Sequence, residues 1–189
     1  GHAELNQKMQ ALGLPSVVIN HRLSESRVIP DMLATAAVVL RVPDHEPIGI
    51  APRKSSLLLT NTAKDLFIGH GYLKGDSVVN QPMDFSGRNG ISLADLQNLL
   101  VKVARPEIDL GSPALRLTSS HREMLLAALS MYPGESRNPL YSPERYPDLE
   151  SKFLLPGIRR VFPNAQLSRR IQVTGKPGRA YGFSIENSY

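Results

Sequence analysis

SRRIQVTGKPGRAYGFSIENSY, Ser168 to Tyr189, places apolar residues at every second position: Ile171 and Val173, then Tyr181, Phe183 and Ile185. Successive side chains of a strand point to opposite faces, so this alternation predicts two antiparallel strands of one hairpin or sheet edge. Lys176 sits in the middle of it, between Gly175 and Gly178. A phosphate-cradling P-loop is excluded. That loop needs a glycine five residues before Gly175 and a hydroxyl residue after the lysine, where this chain has Arg170 and Pro177. Proline also removes an amide donor from any anion nest. Lys176 is thus a strand residue, and the open question is whether it faces a cleft.

Working outward, two segments read as amphipathic helices. SLADLQNLLVKVA has Ser92 and Asp95 at capping-box spacing, with Leu93, Leu96, Leu100 and Val103 along one face. SSHREMLLAALSMYP repeats the device with Ser120 and Glu123 as the cap pair and Leu125, Leu126 and Leu129 as the buried stripe, and Pro133 stops it. Residues Ala3 to Leu12 read as the end of a helix, with Gly13 as the stop. Ser16 to Ile19 is a short apolar strand or connector, and Ala36 to Val42 an extended segment. The stretch from Pro133 to Pro156 is dense in proline, tyrosine and charge, the kind of irregular segment that often borders a site. The expected fold class is α+β, with helices packed on an antiparallel sheet whose strands come late in the chain. No linker or repeat divides residues 1–189, so they read as a single domain.

Composition narrows the function classes. The 189 residues carry no cysteine, which excludes disulfides, thiol catalysis and cysteine-bound zinc. Such a chain fits a bacterial extracytoplasmic protein without demanding one. Net charge is +5 and the pI about 9.6, a balance that favours anionic partners. The basic residues are dispersed, only Arg159-Arg160 and Arg169-Arg170 being adjacent, and aromatics are 6% with no tryptophan. Without a stacking platform or a basic stripe, a nucleic-acid partner is not expected. No apolar run is long enough to span a membrane.

Metal, cofactor and nucleophile motifs are missing. The five histidines, at positions 2, 21, 45, 70 and 121, include no pair three or four apart. Asp44-His45-Glu46, between prolines, reads as a solvated acidic turn rather than a ligand cluster. There is no Gly-x-Ser-x-Gly elbow and no Ser-x-x-Lys pair. Neither a metal nor a cofactor is expected.

A combination of short segments resembles a known family. Met131, Pro133, Glu135 and Ser136 match a Met-x-Pro-x-Glu-Ser segment; Tyr146, Pro147 and Asp148 a Tyr-Pro-Asp segment; Lys152, Phe153 and Leu154 a Lys-Phe-Leu segment. Lys176, Gly178, Ala180, Tyr181, Gly182 and Phe183 match a terminal Lys-x-Gly-x-Ala-Tyr-Gly-Phe. The chain thus resembles the carboxy-terminal half of serine hydrolases with the class A β-lactamase (penicillin-recognising) fold, in a branch common in Bacteroidetes. The match covers residues 115–189 well and 1–30 loosely, and is specific as a combination rather than motif by motif.

The resemblance implies roles. Lys176 would face the nucleophile and hold a substrate carboxylate, lowering the pKa of nearby proton-transfer groups. Gly178 would let substrate backbone lie along the strand, and the Arg179 amide would donate to an oxyanion. Glu25, in HRLSESR, would stand where class A enzymes keep the glutamate that activates water. Pro177 departs from the family's threonine or serine and so loses a hydroxyl that would help hold the carboxylate. The family's Ser-x-x-Lys and Ser-x-Asn elements precede the region matched here, and its closing strand and terminal helix follow it. The implied protein is therefore a fragment, inert by itself, completed by an amino-terminal segment or by a second copy, and extracytoplasmic. The implied partner is a small-molecule or peptide substrate with a carboxylate. Two other readings stand beside this one: a non-catalytic binding or scaffold domain that keeps only the fold, and a basic nucleic-acid-binding module.

Overall fold

The computed structural model describes residues 2–21, 34–56, 59–142, 144–145, 152–164, 171–180 and 183–189. Two compact units divide the chain, Gly1–Asp95 and Leu96–Tyr189. Their boundary falls inside a helix, which is why no linker marks it in the sequence.

In the first unit, α1 (His2–Ala11) carries a Glu4–Lys8 pair one turn apart at 2.9 Å, and Gly13, at φ 78°, ends it. The chain then doubles back and buries Leu14, Val17 and Val18. The segment read as a strand at Ser16 to Ile19 is instead a connector with one bridge, Val18 to Gly90. Side-chain amides supply the partners that a ladder would have supplied. Buried Asn6 donates to the Ile19 carbonyl and accepts from the Ile19 amide, each at 2.8 Å. Asn20, fully buried, does the same with Leu59 at 2.5 and 3.0 Å. A buried backbone group costs free energy unless paired, and asparagine carries one donor group and one acceptor in strand-like spacing.

Three antiparallel ribbons follow: β1 (Val38–Leu40) with β2 (Ile48–Ile50), β3 (Phe67–Ile68) with β6 (Met83–Asp84), and β4 (Tyr72–Lys74) with β5 (Ser77–Val79). β1 lies inside the extended segment expected at Ala36 to Val42. The expectation that strands come late is corrected here, since six of the eight strands among the described residues precede the second helix. The class is α+β, with four two-stranded ribbons in place of one sheet.

Helix α2 (Leu93–Ala104) opens with half of the expected capping box. The Asp95 amide donates to Ser92 Oγ at 3.1 Å, but the Asp95 carboxylate does not return to Ser92. It accepts instead from the amide and hydroxyl of Ser16, at 2.8 and 2.6 Å, and Ser16 Oγ in turn accepts from the Ser92 amide at 2.9 Å. Asp95 is buried, so truncation would strand two donors. Asp95→Ala should cost about 2 kcal/mol, read as a lower urea midpoint at unchanged slope. Leu100 and Val103 are buried, whereas Leu93, at the first position, is 68% exposed, so the stripe is buried only towards its end. Lys102 is buried too, its three donors meeting Ser112 Oγ, Ser112 O and Pro113 O.

The second unit continues with α3 (Ser119–Ser130), a 3₁₀ turn (Pro133–Glu135), α4 (Leu154–Val161) and the hairpin β7 (Gly175–Ala180) and β8 (Phe183–Ser188). The N-cap of α3 is Thr118, whose hydroxyl accepts from the His121 amide at 3.2 Å, and not the Ser120–Glu123 pair. Thr118 has the extended backbone that a cap requires, with ψ 157°, whereas Ser120 is already helical. The expected stripe is only partly covered: Leu126 and Leu129 are half-buried and Leu125 is 41% exposed. Uncovered apolar surface marks both units. The hairpin β7–β8 leaves Phe183 and Ile185 exposed, and every residue of β1 and β2 is exposed.

Candidate functional site

The hairpin comes from the alternating stretch read first, with its opening strand shifted from Ile171 to Gly175. Its register pairs Gly175 with Ser188, Lys176 with Asn187, Gly178 with Ile185 and Arg179 with Ser184. Thr174 and Tyr189 exchange both backbone bonds, at 3.0 and 2.8 Å, just beyond that ladder. Hydrogen-bonded and non-bonded pairs alternate in an antiparallel ladder. Lys176, Gly178 and Ala180 therefore bond to β8, while Pro177 and Arg179 turn their backbone outward. Two consequences follow. Pro177 occupies a position where a missing N–H costs the ladder nothing. The Arg179 amide lies along the edge of β7 that no strand among the described residues pairs. Gly178 is exposed, and a Cβ there would meet nothing within 4 Å, so the strand surface beside it is open.

Lys176 lines a groove of about 350 Å³ with Met131, Tyr132, Ser136, Tyr141 and Lys152. Its ammonium is exposed and donates to the Pro177 carbonyl at 2.5 Å. A larger concavity, about 670 Å³, runs along α4 and β8. Its lining includes Phe153, Leu154, Ile158, Val161 and Phe162, and its one charged residue is Glu186. An anion would find its countercharge in the smaller groove.

The residue that holds the groove together appeared in the sequence only as part of a motif, with no role of its own. Lys152 is 3% exposed and donates to the carbonyls of Leu129, at 2.6 Å, and Val173, at 3.2 Å. Its ammonium lies 5.0 Å from the centre of the Tyr132 ring. Leu129 O is one of the last carbonyls of α3, which have no partner within the helix and lie at its negative end, so a cation there is favoured twice over. One side chain thereby joins α3, the turn after it and the lead into β7. Burial pushes the Lys152 ammonium below the ordinary lysine value, against the opposing pull of Glu186 and Glu135. A second tie, Ser130 Oγ to Thr174 Oγ1 at 2.9 Å, runs parallel to it.

Glu186 is the matching anion. It faces Pro177 across the ladder, and its Oε2 accepts from the amides of Phe153 and Leu154, the latter at 2.7 Å, capping α4 from another element. Burial pushes its pKa up, but bonds from Ser188 and those two amides, with the Lys152 charge, outweigh this and hold it below the ordinary carboxylate value. A depressed carboxyl contributes stability above its unfolded pKa and loses it as pH falls through the folded value. Glu186→Gln should therefore flatten the acid limb of the stability–pH curve. At neutral pH it should cost about 1 kcal/mol, the usual worth of a cap, measured by thermal melts across pH.

Of the other expected residues, some fall where the groove's description does not reach. Glu25 lies outside the described residues, as do Tyr146, Pro147, Asp148, Tyr181 and Gly182. Glu135 closes its own turn by accepting from the Tyr132 amide at 2.8 Å. Among the described residues, no group of three histidine, aspartate or glutamate side chains converges on a metal position, and no helix is long and apolar enough to cross a membrane. No protein-family model matches this chain, and no curated protein or solved structure does either.

Proposed function

We propose that this chain is the carboxy-terminal part of a β-lactamase-like serine hydrolase that cleaves an amide or ester through a covalent acyl-enzyme. The observation that carries the reading is the position of Lys176: on an extended strand, at the rim of a groove, with an adjacent outward amide at Arg179 and open strand surface at Gly178. In this reading the Lys176 ammonium leaves the Pro177 carbonyl to hold a substrate carboxylate. The Arg179 amide stabilises the charge that forms on the acyl oxygen. The serine, its lysine base and the Ser-x-Asn group come from polypeptide preceding Gly1, and the protein works outside the cytoplasm.

The test is labelling of the polypeptide that includes the preceding segment, with a fluorescent penicillin and with a fluorophosphonate. Lys176→Ala should reduce the rate of penicillin labelling about 100-fold, the cost of about 2.7 kcal/mol of lost charge stabilisation. Fluorophosphonate lacks the carboxylate and should be affected less. Equal labelling of wild type and variant by penicillin would remove Lys176 from the mechanism. A folded protein that takes neither label would leave the non-catalytic binding domain as the better reading.

A further inference from the structure

The groove beside Lys176 selects its ligand by more than charge. None of the described residues lining it is acidic, and only one of its two cations is available. Lys152 is buried and committed to the Leu129 and Val173 carbonyls. Lys176 is exposed, and among the described residues it bonds only the neighbouring Pro177 carbonyl. Ala128 and Leu129, from the last turn of α3, also line the groove and present the negative end of that helix. A single free cation beside a negative helix end suits one negative charge rather than a phosphate dianion, so the matching group is a carboxylate.

The rest of the wall is aromatic and polarizable. Tyr132 and Tyr141 are half-buried, and Met131 is 43% exposed. The Tyr132 ring is held 5.0 Å from the Lys152 ammonium, so this wall is positioned before any ligand arrives. Ring edges and a thioether sulfur favour an aromatic group over an aliphatic one of equal size. The volume is about 350 Å³, at the small end of ligand sites, which run from about 300 to 1,000 Å³. It holds one ring with its carboxylate and excludes a polymer. Every residue of the groove belongs to the second unit.

We propose that the carboxylate of the substrate is carried a few bonds from an aromatic ring. The ring lies among Met131, Tyr132 and Tyr141 while the carboxylate meets Lys176. The substrate class is therefore an aryl-substituted carboxylic acid, a class that includes acylated phenylalanine and tyrosine and peptides ending in them. This inference rests on the proposed role of Lys176 as the holder of the carboxylate and adds what stands beside that group.

Phenylacetate is the probe, titrated into the folded polypeptide that includes the preceding segment. Binding is read by calorimetry and by saturation-transfer NMR of the ring protons, neither of which needs turnover. The expected dissociation constant is on the order of 1 mM, usual for so small a ligand. Acetate, which lacks the ring, and benzamide, which lacks the charge, should each bind about tenfold more weakly or worse. Inorganic phosphate should not displace phenylacetate. Lys176→Met should weaken phenylacetate about tenfold and leave benzamide unchanged. Tyr141→Leu should weaken phenylacetate about threefold to tenfold and leave acetate unchanged. Met131→Ala, at a partly exposed position, repeats that test if the tyrosine variant fails to fold by circular dichroism. Phenylacetate that does not bind at about 20 times the expected dissociation constant, or binds no tighter than acetate, would overturn the proposal. So would binding that survives both wall variants, even in a protein that takes fluorophosphonate. Ring-dependent binding in a protein that takes neither covalent label would keep this subsite and remove the hydrolase reading instead.

Discussion

Lys152→Met should destabilise the second unit by about 2–3 kcal/mol, the range for hydrogen bonds made by a buried charged group, with lower thermal and urea midpoints. Methionine fills most of the same volume, so the loss reports the bonds to Leu129 O and Val173 O and the contact with Tyr132 rather than a cavity. The buried Val173 carbonyl and the half-buried Leu129 carbonyl would lose their donor, and the last turn of α3 would lose its cation. The pH dependence separates this role from simple packing. Burial depresses the Lys152 pKa, so the unfolded chain binds the proton more tightly than the folded one. Burial therefore costs stability throughout the range below the folded pKa. That cost is relieved as pH rises from the folded value to the ordinary lysine value. Wild-type stability should thus gain relative to Lys152→Met across that alkaline window. Parallel curves would mean that the ammonium is not desolvated. Because Val173 leads directly into β7, in the proposed hydrolase the same variant should also slow penicillin labelling through displacement of Lys176.

Gly175→Ala should cost about 1–3 kcal/mol, the penalty for overpacking a site that cannot relax, while Gly178→Ala three residues on should leave the midpoint almost unchanged. The asymmetry is steric. A Cβ at Gly175 would stand 2.6 Å from the Asn187 carbonyl oxygen and 3.0 Å from Ser188 Cα, both backbone atoms of the facing strand. To admit it, β8 must move away from β7 at the end of the hairpin nearest Glu186. Gly178 has open space instead. In the proposed hydrolase that space belongs to substrate, so Gly178→Ala should lower the labelling rate with little effect on stability. Urea titration of both variants beside the labelling assay tests the pair. Equal destabilisation of the two would contradict the strand geometry.

Much of this organisation was legible in the sequence, in proportion to how local its cause is. The helix at Leu93–Ala104 announced itself by spacing, and the Gly13 stop by the conformation only glycine adopts readily. The hairpin around Lys176 was legible from period-two alternation, although not its starting residue, because Gly175 carries no side chain to signal a face. What escaped was set by contacts distant in sequence. Asp95 has capping-box spacing, but Ser16 claims its carboxylate from 79 residues away. Lys152 was visible only as part of a motif; its work depends on carbonyls 23 and 21 residues away. The ribbon β4–β5 left a local signal that went unread. Gly75-Asp76, with Gly75 at φ 62°, joins two apolar-rich runs, the usual mark of a two-residue turn. Glu186 could not have been found as a helix cap, since the helix it caps lies on a different element.

In the proposed hydrolase, Lys176 serves a serine that precedes residue 1. Covalent labelling of the longer polypeptide with fluorophosphonate, followed by proteolysis and mass spectrometry of the modified peptide, tests that most directly. The expected result is a single adduct on a serine amino-terminal to Gly1, formed more slowly when that serine's neighbouring lysine is replaced. An adduct on Ser136 or any other residue of this chain, or none on a folded protein, would contradict it.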